Sequence, residues 1–156
     1  QYTPTFGNIS DHPELMNVNC GNVGSNGGPG GQANADWMHV NAIDYNAELD
    51  QILFSSSHLD ELYFIDHSTT TEEAAGHSGG NSGKGGDILY RYGNPESYQR
   101  GGPEDQVLFA QHDVQWISEG YPDAGKLMIF NNGKGRDIQY SSVDVRYMRE
   151  EFYGEW

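Results

Sequence analysis

From Trp37 onward, short apolar runs alternate with polar turns, and no run is long enough for a substantial helix. His39–Tyr45 is followed by the polar stretch Asn46-Ala-Glu-Leu-Asp50. Gln51–Ser56 and Glu61–Asp66 then give two further runs, both rich in Ile, Leu, Phe and Tyr. Short runs of this composition, bounded by Asn, Asp, Ser and Gly, predict strands. Asp87–Tyr92 predicts a fourth, which Gly93-Asn-Pro95 ends, because proline has no donor for a strand ladder. Residues 67–86 read as a Ser/Thr/Gly loop with one helical turn at Thr71–Ala75. Glu72 and Glu73 suit the positive end of that turn.

The pattern then restarts. Gln106–Ala110 predicts a short lead-in strand, followed by His112–Ile117, Leu127–Phe130 and Ser142–Met148. The two halves share one layout: a histidine, a short strand, a polar turn, then an apolar strand ending in small polar residues. In the first half this runs from His39 to His58, and in the second from His112 to Gly133. Repetition of this kind in an all-β chain predicts radially arranged four-stranded sheets, as in a β-propeller. Residues 37–95 make one expected blade and 106–156 most of a second. Residues 1–36 make an irregular N-terminal segment with the glycine run Gly24–Gly31. Propellers have about four to eight blades. The remaining blades are therefore expected from the same, longer polypeptide or from other chains.

Composition narrows the function classes. Among 156 residues, 35% are apolar and the mean hydropathy is -0.73, a thin core for a closed domain. No run approaches the roughly 18 apolar residues of a membrane helix, so no membrane span is expected. The first residues carry no charged-then-apolar leader. Eight Lys+Arg against 23 Asp+Glu give a net charge of -15. A nucleic-acid partner needs a basic face, so that class is set aside. Solubility, cation binding or a basic partner remain. Cys20 is the one cysteine, so no intrachain disulfide exists, which leaves the redox compartment open.

Several tempting motifs fail. Gly83-Lys84 invites a phosphate-loop reading, but Ser78 stands at the first required glycine and Gly85 where Ser or Thr is needed. Asp44–Asp50 alternates oxygen donors like a calcium loop, but Leu49 replaces the turn glycine and Ser55 the closing glutamate. A strand turn is the better reading. Asp66, His67, His77 and Asp87 offer metal-ligand types without a spacing that fixes geometry. No metal ligand is assigned and no cofactor is expected, with calcium the ion an oxygen-rich chain favours. Asn8-Ile-Ser10 fits a glycosylation acceptor by pattern alone. No Gly-x-Ser-x-Gly elbow marks a nucleophilic serine.

Three residues remain as candidates. His39 and His112 open the innermost strands of the two predicted blades, and Arg136 follows the second strand of the second blade. In a propeller such strand ends converge on the central channel. Two imidazoles and a guanidinium suit a sulfate or phosphate ester, because arginine presents a planar fork of donors and histidine donates or carries a proton near neutral pH. The structural alternative is that the histidines hydrogen-bond between blades and that Arg136 pairs with Asp137 or Asp144 at the surface.

At these residues a resemblance emerges. Asp36-Trp-Met-His-Val-Asn-Ala-Ile-Asp-Tyr-Asn46 resembles a segment of bacterial aryl-sulfate sulfotransferases. So do Gln51–His58, Gln111-His112 and Phe130-Asn-Asn-Gly-Lys-Gly-Arg136, while Gly86–Pro95 resembles a subgroup with long inter-strand loops. The resemblance runs from about Asp36 to Val145. It implies a six-bladed propeller exported to the periplasm or cell surface. It also implies sulfuryl transfer from an aryl sulfate to a phenol through a sulfated histidine, without a nucleotide donor. By position, His39, His112 and Arg136 match residues that bind and polarise the sulfate, and either histidine is a candidate for proton transfer at the phenol. Asn41 is a further candidate donor to substrate. The family's nucleophilic histidine lies downstream of Arg136, whereas no histidine follows His112 here. Two alternatives stay open: a noncatalytic propeller acting as an extracellular binding or assembly protein, and a metal-dependent hydrolase.

Overall fold

The computed structural model describes residues 7–20 and 36–147. The glycine run Gly24–Gly31, Met148 and the acidic, aromatic tail lie outside the described residues.

Two antiparallel sheets account for most of the regular structure. The first is a meander of β1 (Val40–Asn46), β2 (Gln51–Ser56), β3 (Glu61–Asp66) and β4 (Ile88–Tyr92), paired in that order. The second contains β5 (His112–Trp116), β6 (Leu127–Asn131) and β7 (Ser142–Arg146), again in chain order. The short polar turns between β1 and β2 and between β2 and β3 make those strands run antiparallel. The β1–β2 turn shows how: the Asn46 side-chain oxygen accepts from the backbone N–H of Glu48 and of Leu49, at 3.0 Å each. The oxygen-rich stretch that resembles a calcium loop is thus a hairpin turn. The helical turn is α1 (Thr71–Ala74), closed by a reciprocal cap between Thr70 and Glu73. No helix among the described residues is long and apolar enough to cross a membrane.

The strands are amphipathic enough to build one core shared by both sheets. Leu53, Leu62, Phe64 and Leu89 from the first sheet meet Leu108, Val114, Trp116, Leu127 and Ile129 of the second half. Each such side chain contributes roughly 1.5–3 kcal/mol by leaving water. A cross-sheet hydrogen bond adds to this, the Trp116 N–H donating to Asp44 Oδ2 at 2.7 Å. Strand β3 is buried on both faces, which explains why Leu62-Tyr63-Phe64 is continuously apolar rather than alternating. On its other face Tyr63, Leu59 and Ile88 form a second cluster with Cys20 and Met16 of the N-terminal segment.

That segment is anchored by a buried ion pair. Arg91 Nε donates to Glu61 Oε1 at 3.0 Å and its terminal nitrogens reach Glu61 Oε2, Ser97 Oγ and the carbonyls of Pro13 and Leu15. Tyr63 and Ser97 hydroxyls also donate to Glu61 Oε2, and the guanidinium lies over the Tyr98 ring at 4.1 Å.

Two sequence expectations are corrected. Gln106–Ala110 forms no strand. Side chains take the backbone partners that a neighbouring strand would supply: Asn131 Oδ1 accepts from Phe109 N–H, Asn131 Nδ2 donates to the Val107 carbonyl, and Asp60 accepts from Ala110 N–H. The first strand starts at Val40 rather than His39, because His39 has φ +47° and leaves the extended region.

Candidate functional site

The candidate residues collect at one end of the two sheets. That end holds the head of β1 paired with the tail of β2, and the head of β5 paired with the tail of β6. Strands β1 and β5 both enter with an irregularity. The register shifts between Val40 and Ala42 in β1, and between His112 and Gln115 in β5. A bulge turns side chains out of the ordinary alternation, as at many active sites.

Asn41 occupies the β1 bulge. Its Nδ2 donates to the Gln111 carbonyl at 2.8 Å and contacts His112 Nδ1 at 3.0 Å. The carbonyl can only accept, so the amide NH2 faces it. His112 Nδ1 therefore accepts as well, and neutral His112 keeps its proton on Nε2. Sequence-distant Asn41 and His112 are thus brought together, with Asn41 fixing the imidazole tautomer. Gln111 behind them is wholly buried, its Nε2 donating to Ser55 Oγ, the Ser56 carbonyl and the Glu61 carbonyl. Among the described residues, the buried acceptors Asn41 Oδ1 and Gln111 Oε1 have no hydrogen-bond partner.

His39 has the opposite arrangement. Its Nδ1 lies 2.5 Å from Asp36 Oδ2, and a carboxylate can only accept, so Nδ1 carries the proton and Nε2 the lone pair. The hydrogen bond from His39 holds the Asp36 carboxyl below its ordinary value. The His39 ring stacks on His58 at 4.7 Å between centroids and 23° between planes. His58 Nδ1 donates to the Asp36 carbonyl at 2.7 Å. Among the described residues no hydrogen bond joins His39 to His112. The two also differ in position: His39 precedes the first β1–β2 pair, Val40 with Ser56, whereas His112 is itself paired with Phe130.

Arg136 stands in the loop after β6. It donates to the Tyr140 carbonyl at 3.0 Å and to Ser142 Oγ at 3.4 Å, and lies over the rings of Tyr140 at 4.3 Å and Phe109 at 5.5 Å. Gly133 N–H donates to the Phe109 carbonyl, tying this loop to the segment that leads into His112. Among the described residues no carboxylate pairs with Arg136, so the alternative of a surface pairing with Asp137 or Asp144 is not seen there; Asp144 accepts from Asn131 instead. No hydrogen bond joins Arg136 to either histidine within the same described residues.

The other metal-type residues fall into separate pairs. His77 Nδ1 meets Asp87 at 2.6 Å, and His67 Nδ1 meets Asp50 at 2.8 Å. Asp66 is occupied in its own loop by Ser68 and by Ser82 N–H. Sequence reasoning did not assign Asp36 or His58 to the site. The signal was the hairpin register, which sets the residues before Val40 opposite those after Ser56.

An all-β protein with imidazole and amide donors at one shared sheet end is the class these features define. Residues 11–151 match the family described as Arylsulfotransferase (ASST). The chain belongs to that family, whose general chemistry concerns aryl sulfates and phenols. No curated protein matches the chain.

Proposed function

We propose that this chain supplies part of the sulfuryl-transfer site of an aryl-sulfate sulfotransferase, its two sheets being adjacent blades of a propeller, six-bladed as in the family. The observation that carries the reading is the pair of opposite tautomers: His112 with its proton on Nε2, His39 with its lone pair there. Arg136, a cation without a carboxylate partner among the described residues, binds the sulfuryl oxygens through its planar fork. A histidine nucleophile, which the family resemblance places downstream of Arg136, attacks sulfur and takes the sulfuryl group before passing it to the acceptor phenol's oxygen. As the donor S–O bond breaks its electron pair stays on the departing phenolate oxygen, and His112 Nε2–H donates to that developing charge. Neutral imidazole is too weak an acid to surrender that proton, so His112 acts as a hydrogen-bond donor. His39 is the better proton carrier, accepting the acceptor phenol's proton at Nε2 while Asp36 stabilises the imidazolium. Asn41 positions His112. The shared core between the sheets supports adjacent blades, since neighbouring blades bury their faces against each other. The substrates on this reading are an aryl sulfate and a phenol, and the location is the periplasm or cell surface.

The test uses the full-length polypeptide. Arg136→Ala is expected to lower aryl-sulfate turnover by about 10²–10³, the usual effect of losing one electrostatic stabiliser. Arg136→Lys, which keeps the charge and loses the fork, is expected to fall in between. Unchanged turnover in Arg136→Ala, with a folded protein, would refute the role.

A further inference from the structure

We propose that Asp36, His39 and His58 form a binding site for a borderline divalent cation of the zinc class. One donor atom from each residue lies within 4.8 Å of the others, a grouping found only here among the described residues. Two imidazoles and a carboxylate suit Zn(II), Ni(II) or Cu(II), whereas calcium and magnesium take oxygen ligands.

The arrangement exists before any ion arrives. His39 Nδ1 and His58 Nδ1 both donate to oxygens of one residue, the side chain and the carbonyl of Asp36. Both rings therefore already turn Nδ1 toward Asp36, and a cation bound there takes the place of the two Nδ1 protons, which leave to solvent. The near-parallel stacking of the rings keeps the two imidazoles side by side. The backbone beneath them is clamped: Ser57 N–H donates to the His39 carbonyl at 3.1 Å, and His58 N–H and Ser56 Oγ donate to the Met38 carbonyl at 3.3 and 2.5 Å. His39 holds a left-handed φ of +47°, which a non-glycine residue adopts rarely, and often at functional sites. Asp36 and His39 are about half exposed, so an ion would keep water in its open positions. A cation on His39 Nδ1 displaces the Asp36 hydrogen bond and lowers the basicity of Nε2, the atom that would accept a proton. Metal binding thus opposes the proton transfer proposed above, although the site does not depend on that transfer.

Equilibrium dialysis of the full chain against Zn(II), repeated with Ni(II), tests the site. One equivalent is expected to bind in the micromolar range. His58→Ala and Asp36→Asn are each expected to weaken binding at least tenfold, and His77→Ala, in a different loop, to leave it unchanged. Circular dichroism checks that the variants fold. The ring signals of His39 and His58 should shift on titration in NMR spectra. No bound equivalent, or equal affinity in wild type and folded His58→Ala, would overturn the proposal. Loss of affinity in His77→Ala alone would place the ion elsewhere and overturn it too. Aryl-sulfate turnover plays no part in these readouts, so failure of the sulfotransferase reading would be seen separately.

Discussion

Replacing Arg91 by methionine leaves the Glu61 carboxylate buried without its counter-charge. Both side chains are nearly solvent-free, at 1% and 0% exposure. Breaking such a pair from one side costs about 3–5 kcal/mol, because the remaining charge has neither water nor partner. Arg91→Met also releases the Pro13 and Leu15 carbonyls and the stacking over Tyr98. With a urea m-value of about 2 kcal/mol/M, the unfolding midpoint is expected to drop by roughly 2 M. The double variant Arg91→Met with Glu61→Leu removes the stranded charge and should regain much of the loss, since apolar replacement of a buried pair is often near neutral. It should not regain all of it, because the hydroxyls of Tyr63 and Ser97 lose their acceptor. Urea unfolding followed by tryptophan fluorescence measures both. A single-variant loss below about 1 kcal/mol would mean that Glu61 finds water or another donor, and would refute the account of how the N-terminal segment is held.

Two further outcomes follow from titrating groups. Burial first, and the Glu61 carboxylate second, push the Cys20 thiol up to about 11 from a reference of 9.0. Alkylation near pH 8 should therefore run roughly a hundred times slower in the native protein than in urea, and equal rates would contradict the buried placement. Asp87 raises His77 above its ordinary 6.5 by hydrogen bonding and charge. That contact contributes stability fully below pH 6.5 and loses it as pH rises through the raised value, so His77→Ala should matter more in mild acid than in mild base. A larger effect in base, in urea midpoints at the two pH values, would reverse the sign and sink the assignment.

Strands β2 and β3 were legible to the residue, because the apolar side chains that mark them are the ones the core takes in. Gln106–Ala110 misled for a physical reason. Its pattern suits a strand, but the side chains of Asp60 and Asn131, far away in sequence, satisfy its backbone. At the candidate site the residue types were readable and their pairing was not. Asn41 and His112 meet only after β1 packs on β5, 71 residues apart in the chain. The Asp36–His39–His58 group depends on hairpin register and on a left-handed backbone at His39, neither of which composition reveals. Arg91 and Glu61 look like ordinary surface charges in sequence, and only the β3–β4 pairing buries them together.

The core that crosses from one sheet to the other has a consequence for inheritance and engineering. Phe64 of β3 meets Trp116 of β5 edge-on, and Leu53, Val114 and Leu127 fill the space around them. Neither sheet is a module that recombination could move alone. A break in the loop between them would leave each with an oily face turned to water, and such faces self-associate. Strand exchange with another gene would have to carry both sheets, and with them Asn41 and His112, in one piece.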